Sequence, residues 1–265
     1  MFGIKRYRKY NSLLKEKLFS YNFLDNEVPQ GLCIINDNIY ITCYKTDNYN
    51  SCVIEYDNKG NELRRIDLGS KAHVGGIGYN KKNNTVYICD VNGTISSYRY
   101  PSFKKNNTYD VAFSDGSKLI EKEKLVCSYL TCYEDVLYVG SFNLEKNGIV
   151  KKYTINKNKI DYIGEFIVPT KVQGLTFYKN KMIISRSYGR RKNSELLIFN
   201  YDENKNEYLK ANKKYKFPPM LEQITEMNND LYLLFESSSN KYKNTCKYVV
   251  NELPIIDIDK IVNNI

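Results

Sequence analysis

The chain has 265 residues, of which 42% are hydrophobic and 26% are charged. This composition excludes a disordered or fibrous chain and is sufficient for a substantial buried core. The formal net charge of +10 comes from 40 Lys and Arg residues against 30 Asp and Glu residues. Because the Lys residues are scattered between the apolar segments, as on solvated rims and sheet edges, we do not expect the protein to bind nucleic acid.

The chain carries no recognisable membrane or secretion signal. Residues 1–17 are basic but lack the run of about 7 to 15 apolar residues found in a secretory signal. No other stretch approaches the length of a membrane span. We therefore expect a cytoplasmic protein, or a secreted one if a leader has been trimmed from the sequence.

The cysteines do not indicate a disulfide framework or a zinc site. There are seven of them, an odd number, and none forms a C-x-x-C motif. A free thiol in a strand packs as a small hydrophobic group. We expect this role for five of the seven: Cys33, Cys43, Cys89, Cys127 and Cys132.

A short phrase recurs five times along the chain. A polar or small residue precedes Leu or Ile, and a Tyr or Ile with an apolar neighbour follows about ten residues later. The phrase begins at Gln30, Gly75, Ser128, Gln173 and Glu222, in steps of 45, 53, 45 and 49 residues. A period of about 40 to 50 residues built from short strands is typical of a β-propeller.

Each repeat predicts four antiparallel strands. The first two are apolar, the third carries a small or polar residue followed by an aliphatic and an aromatic one, as at Ser51, Val53 and Tyr56, and the fourth is polar, as at residues 62–68. Such a gradient matches burial that decreases from the axis to the rim of a blade. The sequence thus predicts an all-β, five-bladed β-propeller as a single domain over residues 1–265.

Two repeats depart from this pattern. The second contains a polar insert at residues 100–124, and the fifth has no clear fourth strand after its third strand at residues 246–250. We expect an N-terminal strand at residues 17–24 to pair with residues 245–251 and close the ring, which removes two open sheet edges. Residues 1–16 then form an N-terminal extension, and residues 253–265 form a C-terminal tail without an assigned place.

The propeller topology predicts a polar ring at the mouth of the central channel. First strands begin, and second strands end, on the same face of the disc, which is the usual ligand site of this architecture. Polar residues at such positions also cap backbone groups for structural reasons, whereas a buried charge needs a partner or a ligand. The ring contains Gln30, His73, Ser128, Gln173 and Glu222 at strand starts, and Cys43-Tyr44, Asp90, Ser141-Phe142, Arg186-Ser187 and Glu236 at strand ends.

Two ligand chemistries fit the ring. The carboxylates of Asp90, Glu222 and Glu236, with the amide oxygens of Gln30 and Gln173, supply the oxygen ligands that a divalent cation such as calcium prefers. That set makes the mouth a candidate metal site.

The cationic residues favour an anionic ligand instead. Arg186, Tyr188 and Arg190 could clamp a carboxylate or phosphate, although Arg186 could also pair internally with a carboxylate of the ring. His73 is the only histidine, so it is the candidate acid or base near neutral pH, or a structural residue beside the Gly-Gly turn.

The repeats resemble the propeller superfamily that includes gluconolactonases, the senescence marker protein and NHL-type propellers, through the phrases Gln-Gly-Leu, Tyr-Ile and Gly-x-Ile. Gluconolactonase-like members hold a divalent cation with acidic and amide residues in the channel. The matching positions are Glu222 and Asp90, with no Asn among them. The phrase Gln-Gly-Leu also resembles five-bladed plant-type glutaminyl cyclases, but these place Glu after Gly-Leu, where this chain has Cys33 and Thr176, so we do not infer that activity.

Two functions from different classes remain. The favoured one is a ligand-binding propeller whose channel mouth recognises a small polar or anionic ligand, a sugar or a peptide, with a protein partner at the Tyr-rich rim as a variant. The alternative is a metal-dependent lactonase or hydrolase with Asp90, Glu222 and Glu236 as ligands and His73 as acid or base. Binding is favoured because the ring mixes Arg with carboxylates.

Overall fold

A computed structural model of the chain describes residues 7–111, 127–157 and 159–263. In these ranges the strands form five antiparallel sheets of four strands each. The innermost strand of each sheet contacts that of the next, and the fifth contacts the first. The chain is therefore a five-bladed β-propeller, as the repeats predict.

The elements follow the chain in blade order. The chain opens with a short helix and a strand, α1 (Arg8–Leu13) and β1 (Leu14–Ser20). Blade 1 consists of β2 (Glu27–Ile35), β3 (Asn38–Lys45), β4 (Cys52–Tyr56) and β5 (Glu62–Asp67). Blade 2 consists of β6 (Ile77–Asn80), β7 (Thr85–Cys89), β8 (Thr94–Arg99) and β9 (Lys104–Asp110).

The remaining blades repeat this order, and the last one uses both ends of the chain. Blade 3 consists of β10 (Tyr129–Tyr133), β11 (Val136–Gly140), β12 (Gly148–Asn156) and β13 (Lys159–Val168). Blade 4 consists of β14 (Val172–Tyr178), β15 (Lys181–Arg186), β16 (Ser194–Asn200) and β17 (Lys213–Phe217). Blade 5 consists of β18 (Leu221–Met227), β19 (Asp230–Phe235), β20 (Glu252–Asp257) and β1, and is followed by α2 (Asp259–Val262).

The N-terminal strand completes blade 5, as predicted, but with other partners. Strand β1 pairs with β20, so that Leu14 lies opposite Ile256 and Ser20 lies opposite Glu252. The predicted pairing of residues 17–24 with 245–251 is wrong. The third strand of this blade lies in the segment assigned to the C-terminal tail, because that segment, and not residues 246–250, supplies the buried apolar run around Ile255.

The two chain ends pack together beside blades 4 and 5. Tyr10 is buried, and its ring centroid lies 5.1 Å from that of Phe217 and 6.3 Å from that of Phe235. Leu13 of α1 and Ile261 of α2 belong to the same apolar cluster. Residues 7–13 of the predicted N-terminal extension thus contribute to the core. None of the helices in the described ranges is long and apolar enough to cross a bilayer.

Part of the predicted insert in the second repeat is a strand. The whole of β9 (Lys104–Asp110), the outermost strand of blade 2, lies inside that insert. Its side chains are almost all exposed, since the outer strand of a blade has solvent along its free edge, and this polarity hid it among loop residues. Residues 112–124 of the predicted insert lie outside the described residues.

The tight packing of the inner strands explains the small residue in the recurring phrase. A Cβ atom on Gly76 would lie 2.3 Å from the backbone nitrogen of Leu130 on the next inner strand. At Gly174 it would lie 2.8 Å from Cα of Gln223. Both positions leave no room for a side chain, because the backbones of adjacent blades meet there.

A disulfide joins blade 2 to the start of blade 3. Cys89, at the end of β7, is bonded to Cys127, with the two Cα atoms 5.6 Å apart. The expectation that these two thiols are free is wrong, because β10, which follows Cys127, lies against β6 and β7 of blade 2 although the two cysteines are 38 positions apart in the sequence. The remaining cysteines, including Cys33, Cys43 and Cys132, are free thiols.

Candidate functional site

A cavity of about 460 Å³ opens at the mouth of the propeller. All five blades contribute to its wall, which confirms the geometric expectation that the repeats converge there. Eight residues of the predicted ring line it: Gln30, His73, Ser128, Phe142, Gln173, Ser187, Glu222 and Glu236. The wall also contains Tyr188, Gly189, Arg190, Met220 and Tyr242.

Backbone bulges place three of these side chains. The register of β2 with β3 skips one residue between Pro29 and Gly31, which leaves Gln30 as the bulged residue. The register of blade 4 shifts in the same way at Gln173, and that of blade 5 shifts across Glu222. A bulge re-aims a side chain away from the regular alternation of a strand. Here it puts polar groups into the cavity from the innermost strands, which are otherwise buried.

Two carboxyl groups meet at the bottom of the cavity. The Glu222 and Glu236 side chains are hydrogen-bonded to each other. Gln30 donates its side-chain amide to Glu236 at 3.0 Å, and Gln173 donates to Glu222 at 3.5 Å. Glu222 follows the left-handed residue Met220, and Glu236 begins a 3-10 turn after β19. The β18–β19 hairpin thus brings together two acids that are 14 positions apart in the sequence.

The pKa shifts of the two carboxyl groups favour a single proton shared between them. Burial, followed by the charge of Glu236, raises the pKa of Glu222 well above its usual value. Burial also raises the pKa of Glu236 to about 7, although hydrogen bonds from Gln30 and Glu222 and the charges of Lys241 and Arg190 oppose this rise. These shifts favour a pair in which Glu222 holds the proton and donates it to the Glu236 carboxylate, since two adjacent buried charges of the same sign are disfavoured.

His73 lies in the cavity wall against an aromatic ring. Its ring centroid is 4.6 Å from that of Tyr44, whose hydroxyl lies 3.3 Å from the hydroxyl of Tyr242. Although the residue remains exposed at the mouth, the surrounding protein and then the charge of Lys241 lower the pKa of His73 to about 4. The imidazole is consequently neutral at pH 7 and can accept a hydrogen bond from a ligand.

The rim of the cavity is cationic. Arg190 lies 5.2 Å from the ring centroid of Tyr242 and donates to Thr245 at 3.1 Å. Lys241 donates to the Tyr44 hydroxyl at 2.8 Å. Within the described part of the chain, neither cation forms an ion pair. The predicted ligand-binding residues Tyr188 and Arg190 both lie on this rim.

Asp90 does not line the cavity, contrary to its predicted place in the ring. Its carboxylate caps the backbone N–H of Val91 and accepts hydrogen bonds from the hydroxyls of Ser70 and Ser96. Lys105 on the outer strand lies 3.3 Å away. Burial alone would raise the pKa of Asp90, but these hydrogen bonds outweigh it and lower the pKa. The side chain faces the outer strands of its blade because it caps the turn after β7.

Arg186 also lies outside the cavity. It forms an ion pair with Glu195 at 2.8 Å and donates to the carbonyl of Thr170 at 2.7 Å. Its neighbours Ser185 and Ser187 point to the axis and the cavity, and successive side chains of a strand point to opposite faces. Arg186 must therefore point away from them. The predicted internal ion pair exists, but with a carboxylate of the same blade.

Without Asp90, the predicted metal-ligand set is reduced to two carboxyl groups. Across the described residues, no cluster of three or more His, Cys, Asp or Glu side chains could hold a metal ion. A divalent cation at this place would be held by Glu222 and Glu236 with the amide oxygens of Gln30 and Gln173. It would have to displace the shared proton.

One central residue was not recognised from the sequence. Gln223 is buried, and its side-chain oxygen accepts from the backbone N–H groups of Leu32 and Ile77, both at 3.0 Å. Its amide nitrogen donates to the carbonyls of Ile77 and Leu130, at 2.8 and 3.1 Å. Gln223 thus fills the axis and links four blades. The sequence did contain a sign of this role, because Gln223 is a second polar residue beside Glu222, at a position where the other repeats carry Gly or Tyr.

Comparison with known proteins adds a likeness of fold. No protein-family description and no curated protein matches the chain. Among solved structures, a glutaminyl cyclase from Myxococcus xanthus is similar over 91% of this chain and 94% of that one, with a TM-score of 0.60 and 8% sequence identity. At this identity the likeness shows the fold alone. The chain is a β-propeller of the same general architecture.

Proposed function

We propose that the cavity binds a small polar ligand or the end of a peptide, oriented by opposite charges. The observation that carries this proposal is the arrangement of the cavity, with a carboxyl pair at the bottom and unpaired cations at the rim. The pair with one shared proton carries one negative charge, which matches one ammonium group. Arg190 and Lys241 match an anionic group farther out. A ligand with an amine at one end and an acid beyond it satisfies both.

A second candidate function is acid–base catalysis on such a ligand. The observation that favours it is the hydrogen bond between Glu222 and Glu236, with the pKa of Glu236 at about 7. A carboxyl pair of this kind can take a proton from one group and return it to another near neutral pH. The fold neighbour is described as a glutaminyl cyclase, and we take N-terminal glutamine as the first substrate to test.

The proton balance of that reaction suits the pair. The neutral amine of an N-terminal glutamine attacks its own side-chain amide carbon, a new C–N bond forms, and the bond to the amide nitrogen breaks. The amine loses a proton and the departing ammonia gains one. Glu236 would accept the first proton, and protonated Glu222 would supply the second through the hydrogen bond that joins them.

One experiment tests both candidates. A peptide with N-terminal glutamine is added to the protein, binding is measured by calorimetry, and ammonia release is measured over time. We expect binding that is weakened at least tenfold by Glu236→Gln and unchanged by Glu203→Gln, an exposed control on blade 4. Ammonia release that E236Q abolishes supports catalysis. Binding without release supports a binding protein, and no binding would contradict the proposal for peptides.

Two further expectations stay proposals. A divalent cation such as calcium is one, with the ligands given above. The cytoplasmic location is the other, and the disulfide between Cys89 and Cys127 bears on it. Disulfides persist in oxidising compartments. If the protein isolated from cells carries this disulfide, that result would favour a secreted or surface-exposed chain over a cytoplasmic one.

A further inference from the structure

A second hollow adjoins the mouth of the cavity. Its volume is about 360 Å³. It shares Tyr188, Gly189 and Arg190 with the cavity wall, so it lies beside the cavity. Arg191, Lys192 and Thr245 complete its lining. A ligand that extends out of the cavity past Arg190 would reach this hollow.

The cations of the hollow have no acidic partners. In the described part of the chain, Arg190, Arg191 and Lys192 form no ion pair. Arg190 is nevertheless held in place by neutral groups, the ring of Tyr242 and the hydroxyl of Thr245. Arg186, on the strand just before this loop, is by contrast neutralised by Glu195. Three adjacent positive charges are therefore left for an external anion.

Tyr188 stands between this hollow and a smaller one. The smaller hollow, of about 120 Å³, is lined by Lys171 and Lys192 and by the paired side chains of Arg186 and Glu195. The Lys171 ammonium lies 5.9 Å from the centroid of the Tyr188 ring, and Tyr188 is 45% exposed. An exposed aromatic ring flanked by cations offers an apolar surface to a ligand backbone and charges to its acidic groups.

We propose that the hollow lined by Tyr188, Arg190, Arg191 and Lys192 is an anion subsite that selects peptides with acidic side chains just beyond their amino-terminal residues. The inference rests on the proposed function, because the amino terminus is placed at the carboxyl pair. A uniform polyanion such as nucleic acid or polyphosphate fits less well, since the bottom of the cavity carries negative charge. The charge changes from negative at the bottom of the cavity to positive in the hollow, which favours a peptide with an amino group at its first residue and carboxylates on the residues that follow.

The test compares two peptides of equal length that carry a fluorophore at the carboxyl end. One begins Gln-Glu-Asp-Glu and the other Gln-Gln-Asn-Gln, and binding is measured by fluorescence anisotropy. We expect the acidic peptide to bind at least fivefold more tightly, and R191Q/K192Q to lose about five- to tenfold of that affinity. The neutral peptide should be affected less than twofold. The advantage of the acidic peptide should shrink as salt is raised.

The control variant K59Q/K81Q removes the same net charge at exposed positions on blades 1 and 2. It should leave the affinity for the acidic peptide within twofold. Equal binding of both peptides to the unmodified protein would overturn the subsite alone and leave the proposed function standing. Binding of neither peptide would overturn both. Tighter binding of a single-stranded oligonucleotide than of the acidic peptide, lost in R191Q/K192Q, would assign the hollow to a polyanion and overturn the choice of a peptide.

Discussion

Glu222 destabilises the folded protein as pH rises. Its pKa is raised on folding, mainly by burial, so the folded state binds its proton more tightly than the unfolded state does. For a group with a raised pKa, the stabilising contribution is fully present below the unfolded pKa and is lost as pH rises toward the folded value. The loss is as much as about 1.4 kcal/mol per pH unit. A buried carboxyl group with a raised pKa, retained although it lowers stability as pH rises, is common at functional sites.

Replacing Glu222 by Gln should therefore stabilise the protein at high pH. The Gln amide can still donate to Glu236, but it never ionises. We expect the difference in free energy of unfolding between E222Q and the unmodified protein to grow in favour of the variant by about 2 kcal/mol or more from pH 5 to pH 8. Urea denaturation at both pH values measures it.

Comparing the unmodified protein with the variant also cancels the contributions of other titrating groups to the pH dependence. The lowered pKa of His73 contributes with the opposite sign, since its stabilising effect is lost as pH falls from about 6.5 toward 4. His73, Lys241 and Arg190 are common to both proteins, so their contributions cancel in the difference, whereas Glu236 is coupled to Glu222 and its altered titration is part of the measured difference. A difference that does not change with pH would contradict the buried, protonated state of Glu222.

Gln223 should matter more for stability than any polar residue in the cavity wall. Its four hydrogen bonds satisfy backbone groups of three other blades, and a buried group left without a partner costs about 1 to 3 kcal/mol. We expect Gln223→Ala to lower the free energy of unfolding by about 3 kcal/mol or more. Gln173→Ala, which removes one long hydrogen bond to Glu222, should cost less than about 1 kcal/mol. Equal costs in urea denaturation would contradict the central role of Gln223.

At single residues, the sequence predicts which positions reach the axis but not which way each side chain points. The repeat alignment identified Gln30, Gln173 and Glu222, which do enter the cavity. It placed Asp90 and Arg186 there as well, and both turn away. A shift of one residue along a strand reverses the direction in which a side chain points. A bulge causes such a shift, and no sequence motif marks a bulge in an apolar strand.

At the scale of elements, ring closure depends on β1. This strand covers the free edge of β20, and the preceding helix carries the buried Tyr10 and Leu13. We expect a chain lacking residues 1–20 to lose cooperative unfolding, because blade 5 would have an open edge and an exposed apolar face. Near-ultraviolet circular dichroism and urea denaturation measure this loss.

The missing strand should also work when supplied as a separate peptide. A peptide of residues 7–21 added to the truncated chain should restore the near-ultraviolet signal, whereas a peptide of the same composition in scrambled order should not. A truncated chain as stable as the full one would show that the ring does not depend on β1.

Elements were predictable where burial leaves a clear pattern. The inner strands are nearly all buried, as in β2 and β14, and their apolar runs are distinct in the sequence. The outer strand β9 and the third strand of blade 5 were misassigned. Strand β9 is polar on both faces. The third strand of blade 5 follows a long loop, residues 236–251, which carries Tyr242 to the cavity. The sequence spacing between this strand and β19 is therefore longer than in the other repeats.

For the whole molecule, the fivefold repeat was sufficient to predict the fold and the face that carries the cavity. The repeat could not predict contacts between blades, such as the disulfide of Cys89 with Cys127 or the hydrogen bonds of Gln223, because these depend on how far neighbouring blades rotate against each other. The carboxyl pair is a similar case. Glu222 and Glu236 were both assigned to the ring, but as metal ligands and not as partners in one hydrogen bond.

The central claim is that the propeller axis holds Glu222 protonated against Glu236, and infrared spectroscopy tests it most directly. At pH 8 the exposed carboxyl groups are ionised, so a protonated-carboxyl band in the folded protein would report a buried acid. We predict such a band, its disappearance in Glu222→Gln and its persistence in Glu203→Gln. A spectrum without the band, or a band that Glu222→Gln leaves unchanged, would contradict the account.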